Sequence, residues 1–341
     1  MLSAEQLKEY QEWAERVESE LKNNSAWIDQ YKSYAIDMLK NKDKFKRRFR
    51  QWSNLHYYLT IGNVKEGSII FDIRYLGQSV GTLRASLTLK VDKEQNNNNH
   101  DCFAYPGEIG AFTAPWNEKN GKAKQFRTFF KSDIDCSKLP RQKEHMVENA
   151  LYSEMEKKSS ANKTLCYIQP FYIQPLKFAN TRIHMKTALA ASKAKSDEVN
   201  TSKRGGEIDL LCRRKCSATI SRLVAIEIKD ENTEKESFDK AMKQAIAYSV
   251  FLVKLLQSEA RNYWLEIFGM QNQYQDKIVI EAAVAMPEGE TAPSYGGEII
   301  KIGSDEIVLD YIIIKNYDPK KALNDNVAFE HSFSPIYKPK K

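Results

Sequence analysis

Two short segments near the middle of the chain carry charged side chains on what otherwise resemble buried strands. Asp209 lies among aliphatic residues in segment 205–211, and Glu227 and Lys229 belong to segment 224–229. Because side chains alternate along a strand, Glu227 and Lys229 share a face about 7 Å apart, and a hairpin can bring Asp209 beside Glu227. Such buried charges are costly unless a cation or a substrate compensates them. The pattern predicts a site for a hard divalent metal next to a phosphate.

This arrangement resembles the signature of the PD-(D/E)XK nuclease superfamily. In that pattern an acidic residue at a strand end is followed by an acid-x-Lys triplet on the next strand. Asp209 matches the first position, and Glu227-Ile228-Lys229 matches the triplet. Ile208 stands where the family has a proline, so the match departs from the pattern at that position.

A second motif supports the resemblance. Gln244 and Tyr248, about fifteen residues beyond the triplet, are similar to the Gln-x-x-x-Tyr motif of the RecB-like branch. The two residues are one helical turn apart, about 6 Å, so they share a helix face that could border the metal site. For Tyr248, ordinary packing in the core is the alternative interpretation.

The order of predicted elements agrees with the same family. Hydrophobic periodicity predicts a helix over about 141–158, a strand over 165–173, the two charged strands, a helix over 236–257 and a strand over 278–286. The resemblance implies an α/β fold with a restriction-endonuclease-like core, in which this α-β-β-β-α-β series forms a mixed central sheet flanked by helices. The first 130 residues or so resemble no family.

The resemblance implies a mechanism and roles for the residues. Asp209 and Glu227 would ligate Mg²⁺ or Mn²⁺, which prefer carboxylate and carbonyl oxygen, and the backbone carbonyl of Ile228 would add a ligand. Lys229 would orient the attacking water or stabilise the charge of the transition state. The chain is therefore expected to be a metal-dependent nuclease, most readily a DNA endonuclease of restriction, defence or repair. The alternative is a non-catalytic nucleic-acid-binding or assembly protein on the same fold.

Related nucleases often draw one more acid from the first helix of the core. Glu144, Glu148 and Glu154 are the candidates. Glu148 is favoured because it precedes Leu151 by three residues and Met155 by seven, and therefore borders the buried stripe of that helix. For each of the three acids, an exposed helix carboxylate is the alternative.

The N-terminal region, residues 1–135, is expected to be a separate α+β domain that binds substrate or a partner. It begins with two helices over 3–51, followed by strands at 56–61, 69–76 and 79–91. At the end of the second helix lies a basic run with aromatic neighbours, which could contact phosphates or could be a solvated helix face. The nucleic-acid-binding candidates in this run are Lys46, Arg47, Arg48 and Arg50.

The nuclease-like domain is expected to span 136–320 and to be followed by a mobile basic tail over 321–341. Between 174 and 204 the chain is expected to leave the core as a long basic insertion that ends in Lys203 and Arg204. A basic flap over nucleic acid and a disordered tether are both open interpretations of this insertion.

Composition limits the remaining choices. The chain has 341 residues, a formal charge of +7 and an isoelectric point of about 8.9, which permits nucleic-acid binding without requiring it. No stretch approaches the roughly 18 apolar residues of a membrane-spanning helix. The 5 cysteines fit no zinc pattern, so reduced thiols and a cytoplasmic location are expected. DNA is the expected partner, RNA stays open, and a paired double-strand cut would favour a homodimer.

Overall fold

The chain folds as a mixed α/β protein. The computed structural model describes residues 2–46, 55–61, 70–84, 88–91, 105, 112–133, 143–156, 173–179, 181–191, 200–201, 205–216, 220–229, 237–271, 277–287, 297–315 and 328–331. Over these ranges it has six α-helices and two mixed sheets, which confirms the predicted α/β class. Among the described helices, none combines the length and the apolar character needed to cross a bilayer.

Four of the six described helices begin and end close to where hydrophobic periodicity predicts, and the two seven-residue helices are not among the predicted elements. The six helices are α1 (Ala4–Asn23), α2 (Trp27–Lys46), α3 (Lys122–Thr128), α4 (Lys143–Glu156), α5 (Phe238–Gln257) and α6 (Arg261–Ile267). Helix α1 starts at a capping box, in which the Ser3 hydroxyl accepts from the Gln6 backbone N–H and the Gln6 side-chain oxygen accepts from the Ser3 backbone N–H. The Ser237 hydroxyl caps α5 in the same position by accepting from Lys240 N–H.

The strands form two large sheets and one small pair. In chain order they are β1 (Leu55–Ile61), β2 (Ile70–Tyr75), β3 (Gln78–Arg84), β4 (Thr88–Val91), β5 (Phe112–Pro115), β6 (Ile173–Pro175), β7 (Lys177–Phe178), β8 (Thr181–Lys186), β9 (Leu189–Ala190), β10 (Asn200–Thr201), β11 (Glu207–Ile208), β12 (Leu210–Lys215), β13 (Ser221–Ile228), β14 (Val279–Pro287), β15 (Ile299–Ile302), β16 (Asp305–Lys315) and β17 (Ala328–His331). Strands β9 and β10 form the small antiparallel pair.

The first sheet has the strand order β11-β8-β1-β2-β3-β4-β5, with β7 beside β8. Only its β1–β8 pairing is parallel among the described strands. Strands β2 and β3 are joined by a tight turn, where Gly77 has φ +83. A Cβ at Gly77 would collide with the backbone carbonyl of His145 in α4, so glycine allows this turn to touch that helix.

The second sheet has the order β15-β16-β14-β13-β12-β6, with β17 beside β16. Strands β13, β14 and β16 run parallel, and β12 pairs antiparallel with β13. Alternate residues of β13 belong to two different core clusters: Val224 and Ile226 pack with Leu151 of α4, whereas Leu223 and Ala225 pack with the cluster that contains α5. The sheet therefore lies between α4 and α5.

The two N-terminal helices pack on the second half of the chain. Trp13 of α1 donates from its indole Nε1 to the backbone carbonyl of Lys243 in α5 at 2.8 Å. Tyr31 of α2 makes edge-to-face contact with Phe251 of α5, and its ring centroid lies 6.0 Å from that of Trp264 in α6. Helices α1 and α2, which belong to the region predicted to form an N-terminal domain, therefore pack against α5 and α6 of the second half of the chain.

The prediction of a long insertion over 174–204 is wrong for most of its described part. Residues 181–186 form β8, which pairs parallel with β1 at the centre of the first sheet. Strand β8 is difficult to recognise in the sequence because Arg182 and His184 are polar residues. Both side chains are nevertheless buried in the structure. Of the predicted strand 165–173, only Ile173 lies among the described residues. In the segment predicted as a mobile tail, residues 328–331 instead form β17 and pair with β16.

Candidate active site

The register of two antiparallel strands brings the predicted acids together. Because Leu210 of β12 pairs with Ile226 of β13, Asp209 at the bend before β12 lies next to Glu227 near the end of β13. Asp209 Oδ2 accepts a hydrogen bond from the Ile228 backbone N–H at 2.8 Å. This bond fixes the Asp209 carboxylate against the strand that carries the second acid.

Lys229 lies between two carboxylates. Its Nζ is 2.9 Å from Glu227 Oε1 and 3.0 Å from Glu144 Oε1, and the residue is only 8% exposed. Its backbone N–H donates to the carbonyl of Ala285 on β14 at 2.9 Å, which fixes the lysine just beyond the end of β13. The site therefore lies at the carboxyl ends of the parallel strands β13 and β14.

Three carboxylates converge at this point. Glu144, from the first turn of α4, joins Asp209 and Glu227, and each offers one oxygen within 4.8 Å of the others. Three hard oxygen donors of this kind suit Mg²⁺ or Mn²⁺ better than softer metals. The donor set thus fits the predicted metal. Ile228 also lies at the site, where its backbone N–H donates to Asp209. The role of its backbone carbonyl as a metal ligand stays a prediction.

The charges at the site are poorly compensated by the protein alone. Burial raises the pKa of Asp209 well above its ordinary value, and the nearby charge of Glu227 raises it further, while Lys229 acts in the opposite direction. A divalent cation between the carboxylates would favour their ionised forms. Burial and the neighbouring carboxylate of Glu227 are therefore the main causes of the raised pKa of Asp209.

The stability of the metal-free chain should consequently depend on the ionisation of Asp209. An unfolded aspartate has a pKa of about 3.9, and the folded value is higher. Between these two values the folded chain binds more protons than the unfolded chain, so the free energy of unfolding decreases as pH rises. The limiting slope for one group is about 1.4 kcal/mol per pH unit.

Denaturant unfolding in EDTA at a series of pH values measures this effect, with Asp209→Asn as the reference that lacks the titration. We expect the stability of wild type relative to Asp209→Asn to fall as pH increases above about 4. Groups that do not interact with Asp209 cancel in the difference. A difference that is constant or rises with pH would contradict the raised pKa.

Glu148, the helix acid favoured from sequence, faces a different partner. Its carboxylate oxygens lie 3.4 Å from Arg74 Nη1, and Oε2 lies 3.6 Å from His145 Nδ1. Burial acts to raise the pKa of Glu148, but Arg74 and His145 outweigh it and the pKa lies below its ordinary value. The structure therefore brings Glu144, rather than Glu148, into the carboxylate group. The Glu154 side chain lies outside the described residues.

Gln244 and Tyr248 project from α5 as the motif predicts. Gln244 Nε2 donates to the carbonyl of Ala191 at 3.4 Å, and among the described residues its buried Oε1 has no hydrogen-bond partner. Burial raises the pKa of Tyr248, and the charges of Glu227 and Asp209 raise it further, which places its hydroxyl in the field of the site. The glycine pair before β11 permits this approach, because a Cβ at Gly206 would lie 2.6 Å from the Tyr248 hydroxyl.

A buried polar network that sequence reasoning missed lies beside the carboxylate group. His184 Nε2 lies 2.9 Å from Glu207 Oε2, and Arg74 Nη2 lies within 3.3 Å of the same imidazole. Burial acts to raise the pKa of Glu207, but His184 and Lys186 lower it well below its ordinary value. No local motif marks these residues, because β2 and β8 are distant in sequence and come close only in the folded sheet, on either side of β1.

The residues predicted to bind nucleic acid lie almost entirely outside the part of the chain that the structure describes. Lys46 is the last residue of α2, and its side chain is outside the described residues. The remaining candidates lie outside the described residues with both backbone and side chain: they are Arg47, Arg48, Arg50, Lys203 and Arg204. Their role stays a prediction.

Comparisons with known proteins add no relative to this geometry. No protein-family model matches the chain, and neither a curated protein nor a solved structure matches it.

Proposed function

We propose that this protein is a metal-dependent nuclease that hydrolyses phosphodiester bonds, with DNA as its substrate. The observation that carries the proposal is Lys229 held within 3.0 Å of both Glu227 and Glu144, beside Asp209, at the end of two parallel strands. A purely structural sheet has little reason to bury one ammonium among three carboxylates, since burying charges rarely adds stability.

Each residue has a distinct task in the proposed reaction. Asp209, Glu227 and Glu144 would hold Mg²⁺ or Mn²⁺, and the bound metal supplies a water of lowered pKa and neutralises phosphate oxygens. Lys229 would donate hydrogen bonds to the attacking water or to the scissile phosphate, where negative charge grows in the transition state. Its ammonium is already oriented by Glu227, so little reorganisation is needed when substrate arrives.

The order of elements around the site supports a restriction-endonuclease-like core. Helix α4 precedes β12 and β13, α5 follows them, and β14 then pairs parallel with β13. Gln244 and Tyr248 lie on α5 at the positions of the Gln-x-x-x-Tyr motif. In this proposal the division into domains at about residue 135 separates substrate binding from catalysis. Strands β8 and β11 come after residue 135 in the chain but belong to the first sheet.

The test is a panel of labelled duplex DNA, single-stranded DNA and RNA, each incubated with the full chain in Mg²⁺, Mn²⁺ or EDTA. We expect DNA to be cut with either metal and to stay intact in EDTA. Linear plasmid appearing without a nicked intermediate would support a homodimer. Substrate that is bound in a gel shift but stays intact in both metals would favour the alternative, a non-catalytic nucleic-acid-binding protein. The free thiols of Cys212 and Cys216 agree with the proposed cytoplasmic location.

The basic run at the end of α2 gives a separate prediction for DNA binding. Changing Lys46, Arg47, Arg48 and Arg50 together to Gln should weaken affinity about equally for all DNA sequences, because phosphate contacts carry no sequence information. The log–log slope of affinity against salt should decrease by up to about 0.9 per lost contact. Binding isotherms at several salt concentrations measure both quantities, and turnover at saturating DNA should change little.

A control with charges removed elsewhere separates local contact from net charge. Lys8, Arg16 and Lys22 on α1 and Lys119 are exposed, so their joint change to Gln removes the same four charges without touching the basic run. If the two multiple variants lose affinity equally, the run makes no specific phosphate contacts. Unchanged affinity and slope in the fourfold variant would direct attention to Lys203 and Arg204.

A further inference from the structure

A chain of polar contacts, buried except at Glu207, connects α4 with the segment that leads to Asp209, and each of these two elements carries an acid of the candidate metal site. It starts at Glu148 of α4, passes through Arg74 of β2 and His184 of β8, and ends at Glu207 of β11. Arg74, Glu148 and His184 are all less than 8% exposed. Three members of the connection, Arg74, His184 and Glu207, therefore belong to strands of the first sheet, and Glu148 belongs to α4.

The ends of this connection lie next to metal-site acids. Glu148 is one helical turn beyond Glu144, and both project from the same side of α4. Glu207 is two residues before Asp209, at the start of the short strand that leads into the Asp209 bend. A displacement of either end would move a carboxylate of the candidate metal site.

Arg74 is the fixed point of the connection. Asp72 on the same strand accepts from Arg74 Nε at 2.7 Å, and the guanidinium lies 4.6 Å from the ring centroid of Tyr58. The planar guanidinium can therefore use separate nitrogens for Asp72, Glu148 and His184, which a lysine ammonium could not do in this geometry. Arg74 Nη2 lies 3.3 Å from Nδ1 and 3.2 Å from Nε2 of His184, and His184 Nε2 lies 2.9 Å from Glu207 Oε2.

We propose that Arg74, acting through Glu148 and through His184–Glu207, is a positioning residue that sets the separation of Glu144 and Asp209 for metal binding. This inference rests on the proposed function, because it assumes that those acids hold the metal. Outer partners that orient metal ligands commonly affect metal affinity 10- to 100-fold when they are removed. Arg74 touches neither substrate nor metal in this account.

The experiment measures Mn²⁺ affinity of the full chain by electron paramagnetic resonance of free Mn²⁺, with thermal unfolding as a check on folding. Arg74→Met/Glu148→Met removes one charge of each sign, so the net charge is unchanged. Asp72 loses its partner Arg74 but keeps the hydrogen bond from the Ser79 hydroxyl. We expect Mn²⁺ affinity to fall by about tenfold or more. His184→Phe keeps a ring but breaks the link to Glu207, and it should weaken Mn²⁺ binding in the same direction.

Arg182→Met is the matched control. Arg182 is also a buried arginine of the first sheet, lies 5.3 Å from the centroid of the same Tyr58 ring and bonds the Tyr58 hydroxyl at 2.7 Å. It also donates to Asn149 at 3.4 Å and lies 3.7 Å from the centroid of the Tyr152 ring. It lacks a place in the connection between Glu148 and Glu207, so its variant should bind Mn²⁺ within about twofold of wild type. The twofold limit is small beside the 10- to 100-fold effect of losing an outer partner.

The outcomes separate this inference from the proposed function. If His184→Phe and the double variant bind Mn²⁺ within twofold of wild type, or if Arg182→Met loses as much affinity as they do, the positioning role is overturned. If the double variant does not fold, His184→Phe decides. Wild type that binds Mn²⁺ but cuts no nucleic acid would overturn the proposed function and leave the positioning role to be judged by affinity. Wild type that binds no Mn²⁺ overturns both.

Discussion

Asp209→Asn and Glu227→Gln are each expected to lower metal-dependent cleavage by a factor of order 10² or more, to background in most assays. Each change removes the charge of a metal-binding oxygen at nearly constant side-chain volume. Asparagine keeps an oxygen that can accept the Ile228 backbone bond, so the fold should survive. Cleavage rates at saturating Mg²⁺, measured beside thermal unfolding, test this prediction.

Stability should change in the opposite direction from activity. In EDTA the melting temperature of either variant should equal or exceed that of wild type, because repulsion between buried carboxylates is relieved. Glu306→Gln is the control, since Glu306 is at the other end of the sheet and pairs with Lys277. Wild-type cleavage rates in Asp209→Asn and Glu227→Gln would show that the metal site is assigned to the wrong residues.

Lys229→Ala is expected to retain metal and DNA binding but to lose turnover by a factor of order 10² or more, the usual scale for one positioned electrostatic group. Lys229→Arg should not restore it, because a planar guanidinium cannot take the place of a compact ammonium between Glu227 and Glu144. Single-turnover cleavage, combined with DNA-binding isotherms in Ca²⁺, separates the chemical step from binding.

The lysine variant also has a stability signature. Without Lys229, three neighbouring carboxylates lose their one close ammonium among the described residues, so the fold should depend more strongly on bound metal. We expect Mg²⁺ to raise the melting temperature of Lys229→Ala more than that of wild type. Lys277→Ala, which removes an exposed lysine at the far end of the sheet, is the control. Near wild-type turnover in Lys229→Arg would count against a specific role beside the nucleophile.

The strands and helices of the site were predictable because each has a strong local pattern. Segment 224–229 is an aliphatic run that ends in Glu227, Ile228 and Lys229, and α5 carries a long apolar stripe that follows the Ser237 cap. The pairing of Asp209 with Glu227 followed from the hairpin between two adjacent segments. Local order along the chain was enough to bring these residues together.

Long-range packing was not predictable in the same way. Strand β8 pairs with β1, more than 120 residues earlier in the chain, and its sequence reads as polar because Arg182 and His184 are buried against partners rather than exposed. Likewise, the choice of Glu144 over Glu148 depends on Arg74, which comes from a different sheet and attracts Glu148 away from the site. Periodicity on α4 alone could identify the helix but could not specify which acid meets the metal.

The most direct test of the nuclease proposal is the cutting of supercoiled plasmid by one purified sample as Mg²⁺ is added, chelated with EDTA and added again in excess. The account predicts that product forms, stops and resumes, and that an Asp209→Asn/Glu227→Gln double variant purified in parallel gives none. Equal product from wild type and the double variant would point to a contaminant. That result, or no product with Mg²⁺ or Mn²⁺ on DNA or RNA, would contradict the proposed function.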